Sequence, residues 1–209
     1  MDKDKHKNNP TIYHVTSKII GQLSKILDTS AGKATLANLR NSIGKDPSEA
    51  IEIWPIMLEN MPDEFLGRDG NLTAEEKAIL NTLQLYALYQ QGIPESVATD
   101  KEIHKWENMG TSFSNLREDD NRVSADRRFN TMVTSTTYDE LSYHLKQMFG
   151  LLRSRSKGQV KVDFPKLSQD LFWFILGSEG NIRIAWPREY YRNRNVEKEK
   201  DEGGENEQK

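Results

Sequence analysis

Between Lys146 and Lys166 the chain carries six basic residues, Lys146, Arg153, Arg155, Lys157, Lys161 and Lys166, against one acid, Asp163. The whole chain of 209 residues has a formal net charge of −3. A local excess of this kind is suited to holding a polyanion, because attraction to phosphate acts over roughly a Debye length, ~8–10 Å, and not over the whole molecule. Further cations precede the strip: Lys33, Arg40, Arg117, Arg122, Arg127 and Arg128. Arginine dominates the combined set, and its planar fork binds phosphate through two N–H groups and stacks on bases.

Other chemistry finds less support. The chain has no P-loop, dinucleotide-binding, nucleophile-elbow or H-E-x-x-H pattern. Its four histidines, His6, His14, His104 and His144, pair nowhere at helical spacing. Cysteine is absent, which removes disulfides, thiolate metal sites and thiol catalysis together and fits a reducing cytoplasm. The acid pairs Glu75-Glu76 and Asp139-Glu140 fall in the first turn of expected helices, where carboxylates favour the dipole and the caps. Asp119-Asp120 reads as a solvated loop. No catalytic residue, metal or cofactor is expected. Three readings stay open for the basic residues: a nucleic-acid surface, a surface for an acidic protein, or solvated helix faces. The scarcity of interspersed acids favours the first.

The elements that must position these cations are helical. Ile12, Val15, Ile19, Leu23 and Ile26 form one stripe, and a second helix is expected from Ser30 to Ser42. Asp46-Pro47 predicts a third start, running to about Asn60 with Pro55 as a kink or an early end. Thr73 to Glu76 is a capping box, and the helix after it is apolar nearly all round up to Gln91 and Gly92, as a central helix should be. Ser124 to Val133 reads as helix. Thr137 to Glu140 predicts a second capping box, followed by the core stripe Leu141, Leu145, Met148 and Leu152. Lys146 and Arg153 stand one position after members of that stripe and share a line beside it. Asp163-Phe164-Pro165 opens another helix. Trp54, Tyr86, Tyr89, Trp173, Phe174 and Trp186 lie among aliphatics and read mainly as core. Gln159 to Val162 and Asn181 to Ala185 alternate briefly as strands do. The expected class is all-α. No stretch is long and apolar enough to span a membrane.

Several stretches, taken in order, resemble the CasB family, the small subunit of the type I-E CRISPR Cascade surveillance complex. They are KATLANLR from Lys33 to Arg40, LQLYALYQQG from Leu83 to Gly92, RRF from Arg127, and YDELSYHLKQMFGLLR from Tyr138 to Arg153. VDFPKLSQDL from Val162 and IAWPREYY from Ile184 complete the series, and together they span most of residues 30–191. The resemblance implies two small helical bundles and no enzymatic activity. It implies the backbone and large subunits as partners, with CRISPR RNA and target DNA, and a second copy of the chain lying head to tail along the complex. The family's role would be to steady the guide–target hybrid and the displaced strand of the R-loop.

Family-type basic positions fall here on Lys33, Arg40, Arg127, Arg128, Lys146 and Arg153; the strip itself adds Arg155 and Lys157. Lys33 and Lys146 stand where the family often has arginine, and Asn41 where a second base often follows Arg40. The expected organisation is a disordered 1–9, a bundle over 10–95, a connection over 96–121, a bundle over 122–192 and a disordered acidic tail over 193–209. The competing reading is a helical adaptor whose basic strip docks an acidic protein.

Overall fold

Apolar residues recur at three- and four-residue intervals, and the computed structural model turns each such stripe inward. It describes residues 11–99, 107–118 and 120–192. The expected disordered ends and residues 100–106 of the expected connection lie outside these. Helix α1, Ile12–Lys25, buries Ile12, Val15, Ile19 and Leu23, and Thr11 caps it by accepting from the His14 amide. Helix α2, Ser30–Asn41, is capped by Thr29 and buries Leu36 and Leu39.

The single helix expected from Asp46 to Asn60 does not form. Asp46 caps as expected, but two 3-10 turns follow, Pro47–Glu49 and Ile51–Ile53, and only then α3, Trp54–Leu58. Pro55 explains the break. It has no N–H to give the Ile51 carbonyl, and its ring would strike that carbonyl, so it is tolerated only in the first turn of a helix that starts beside it.

Helix α4, Ala74–Gln90, has the full capping box. The Thr73 hydroxyl accepts the Glu76 amide at 3.0 Å, and the Glu76 carboxylate accepts the Thr73 amide at 2.8 Å. Gly92 ends the segment with φ +78°. The all-round apolar character has its expected meaning. Helices α1 and α2 pack against α4, as do α7, Tyr138–Ser156, and α8, Phe164–Ile175. Tyr86 meets Phe164 edge-on at 5.2 Å between ring centres, and the Tyr89 hydroxyl reaches the Val160 carbonyl at 2.7 Å.

Two shorter helices, α5, Met109–Ser114, and α6, Arg122–Val133, precede α7, and α6 packs on it. Helix α7 buries Leu141, Leu145, Met148 and Leu152, as the sequence predicts. Its capping box is half formed: Thr137 accepts the Glu140 amide, but the Glu140 carboxylate takes the Thr136 amide at 2.8 Å, one residue early. The helix ends on Lys157, left-handed at φ 48°, followed by Gly158 at φ +84°.

The last turns run through one π-helical turn, Asn181–Ala185, into α9, Trp186–Tyr190. Strand-like alternation at 181–185 is therefore helical, and that at 159–162 yields one isolated parallel bridge, Ala98 with Val162. The described residues hold nine α-helices and no strand; the protein is all-α. Buried apolar residues from Ile12 to Tyr190 form one contiguous core. No described helix is long and apolar enough to cross a membrane.

Candidate nucleic-acid interface

Helix α4 is the floor of a groove. One wall is α2 with the loop after it; the other is α7. Three hollows lie along it. The first, about 600 Å³, lies between Ile43 to Pro47, the α4 face from Lys77 to Leu85, and α7 from Tyr138 to Lys146. The second, about 360 Å³, joins Lys33 and Arg40 of α2 to the turn Gln90 to Pro94. The third, about 510 Å³, continues from that turn to Arg153 and Lys157. Seven cations line the three: Lys33, Arg40, Lys45, Lys77, Lys146, Arg153 and Lys157. Only two acids do, Asp28 and Asp139. Among the described residues none of the seven belongs to an ion pair. An unneutralised run on a concave surface focuses positive potential where an anionic chain would lie.

The two arginines are held in place. Arg40, half-buried, points Nη1 at the Ala87 carbonyl of α4 at 3.5 Å. Arg153 donates Nη1 to Oε1 of Gln91, just past the end of α4. Both therefore bracket the C-terminal end of the floor.

The strip from Lys146 to Lys166 divides. Lys146, Arg153 and Lys157 face the groove. Arg155 pairs with Glu118 at 3.2 Å, both exposed. Lys161 donates to the Ser96 carbonyl at 2.7 Å, and Lys166 pairs with the buried Asp170. Arg127 and Arg128 stand exposed on α6 and line none of the three hollows.

Lys45 and Lys77 escaped the reading of the sequence. A signal for Lys77 exists: Lys77, Asn81, Gln84 and Gln91 recur at spacings of four, three and seven, a polar line on an otherwise apolar helix. Lys45, in a loop, carries no such mark.

The aromatics are mostly core: Tyr86, Tyr89 and Trp186 are fully buried and Phe174 nearly so. Trp173 departs from that reading: it is 41% exposed and lines a surface hollow with the exposed Ile184, while Leu176, three residues further along the chain, is exposed as well. His144 packs edge-to-face on Tyr143. His6 and His104 lie outside the described residues. Within the described residues no group of three or more His, Asp or Glu could hold a metal ion.

Residues 35–191 match the family model described as CRISPR-associated protein Cse2. The chain belongs to the Cse2 family. Solved structures agree on the fold. CasB from Thermobifida fusca superposes with a TM-score of 0.65 at 22% identity, covering 88% of this chain and 99% of that one. A Cse2-family CRISPR-associated protein from Thermus thermophilus gives 0.60 at 18% identity over 85% and 98%. A chain of a structure described as a CRISPR RNA-guided surveillance complex gives 0.68 at 19% identity over 91% and 99%. No curated protein sequence matches. The α2, α4 and α7 segments that build the groove lie almost wholly within the stretch matched by the Cse2 model, α2 entering it at Thr35.

Proposed function

We propose that this Cse2-family chain is the non-catalytic small subunit of a type I-E Cascade in the cytoplasm, and that its groove holds nucleic-acid backbone during R-loop formation. One observation carries the reading: seven cations from separate elements, none of them ion-paired among the described residues, line three hollows along α4. Guide–target pairing reads the sequence, and the protein supplies backbone contacts that tip a nearly balanced strand exchange. Contacts of that kind carry no sequence information. Lys33, Arg40, Lys146, Arg153 and Lys157 serve the groove; Arg127 and Arg128, exposed on α6, offer a further basic surface for the guide–target hybrid or the displaced strand, and Arg155 would join only by giving up Glu118. The partners are the backbone and large subunits, CRISPR RNA, target DNA and a second copy of the chain. The exposed Trp173, Leu176 and Ile184 are suited to the protein contacts.

The test is a binding titration of the full-length chain, free and within its reconstituted complex, with unrelated single- and double-stranded DNA and RNA across salt concentrations. Salt-sensitive, sequence-indifferent binding is expected. Binding in neither state at low salt would sink the reading and leave the adaptor for an acidic protein, whose capture by the same basic groove would then be measurable.

A further inference from the structure

The first hollow differs from the other two. Alone of the three it sets an exposed aromatic ring beside its cations, which bare phosphate does not require. Tyr143 is 60% exposed and lines it, together with the apolar Pro47, Leu80 and Leu85. Asn81, on the floor, donates its Nδ2 to the hydroxyls of Tyr138, at 3.0 Å, and of Ser142. Tyr138 in turn donates to the Lys77 carbonyl at 3.2 Å. The Asn81 carbonyl oxygen accepts no bond from any described residue, while the amide is fixed in place. Lys45, Lys77 and Lys146 stand around the hollow.

We propose that this hollow is a nucleotide subsite. It takes one unstacked base of the single strand whose backbone runs along the groove. Tyr143 is its stacking surface, the Asn81 carbonyl its acceptor for a base N–H, and the three lysines hold the flanking phosphates. The volume of about 600 Å³ admits a nucleoside, and an aromatic platform beside a cationic track is how single strands are held without regard to sequence. Lys146 and Arg153 are seven residues apart on α7, so the subsite stands about 10 Å along the wall from the arginine pair. This inference rests on the groove reading and adds that the strand there is single and gives up a base.

The experiment compares a short dT oligomer with the same oligomer made wholly of abasic sites, on the full-length chain, free and within its reconstituted complex. The dT strand should bind more tightly, by roughly 5- to 100-fold. Tyr143→Ala should remove that difference without changing the salt slope, and Tyr143→Phe should keep it. Because Tyr143 is exposed, neither variant threatens the fold. Equal affinity of the wild type for both strands, or a difference that survives Tyr143→Ala, would overturn the subsite and leave the groove standing. Failure to bind either strand in either state would overturn both.

Discussion

Burial lowers the pKa of Arg40, and the charge of Arg153, arriving from α7, lowers it further. Two like charges from separate helices thus converge on the end of α4, and among the described residues neither belongs to an ion pair. A pair of this kind is uncomfortable without an anion and is relieved by one. Arg40→Ala and Arg153→Ala should each weaken nucleic-acid binding about equally across sequences, and each should reduce the salt slope by roughly one unit per lost phosphate contact. Thermal unfolding of either variant should stay within about 0.5 kcal/mol of wild type, because each removes a repulsion along with a hydrogen bond. An unchanged salt slope in both would remove them from the interface.

Lys157 holds a left-handed conformation, φ 48°, that glycine adopts freely. Lys157→Gly should therefore raise stability by about 0.5–1 kcal/mol while lowering the salt slope of binding. The two measurements, denaturant unfolding and salt titration, should move in opposite senses. Gly158→Ala should do the reverse to stability. Its φ is +84°, and an added Cβ would come within 2.7 Å of the Ile93 side chain.

Desolvation pushes the Tyr138 hydroxyl pKa up to about 12, well above that of a free phenol. Burial also raises Tyr86 and Tyr89. The folded state holds these protons more tightly than the unfolded chain does. Their contribution is complete below about pH 10 and is lost as pH climbs through the raised values. The urea midpoint should stay level up to about pH 10 and fall above it, less steeply in Tyr138→Phe. A midpoint already falling through pH 8 would contradict this.

Asp170 is 2% exposed and joins two elements: it accepts the Trp186 indole N–H at 2.8 Å and pairs with Lys166. Asp170→Ala leaves a buried N–H and an ammonium without their acceptor, and should cost about 2–4 kcal/mol in chemical denaturation. Asp170→Asn should recover part of it, since an amide oxygen still accepts from the indole.

Trp173 is large, aromatic and 41% exposed, the profile of an interface anchor. Trp173→Ala should leave nucleic-acid binding by the free chain unchanged and weaken incorporation into the reconstituted complex by about 2 kcal/mol, read as subunit occupancy against concentration. Normal incorporation would assign protein contact to another face.

The helices and their core faces were legible because periodicity and caps are local properties. The stripe of α7 and the capping box of α4 needed only neighbours three and four residues away. The groove was legible in part. The line of Lys146 and Arg153 followed from phasing within one helix. The fates of Arg155 and Lys161 did not, since their partners Glu118 and Ser96 lie 37 and 65 positions upstream. Whether a cation is spent on the fold or left for a ligand is decided by such distant neighbours. The break after Asp46 was half legible: Pro55 reads as a kink or an early end, and in the structure it instead sits in the first turn of a new helix, α3, where its missing N–H costs nothing.

Helix α4 touches both walls of the groove and the central core at once, so floor and walls belong to one packed body. Close-packed interiors yield little. A strand entering the groove therefore meets a receptor whose shape is settled beforehand, and the loss of conformational freedom on association falls chiefly on the nucleic acid and on the lysine side chains, not on the backbone of the protein. On the proposed reading the groove acts as a template: it would set the curvature that a bound strand must adopt, whatever bases it carries.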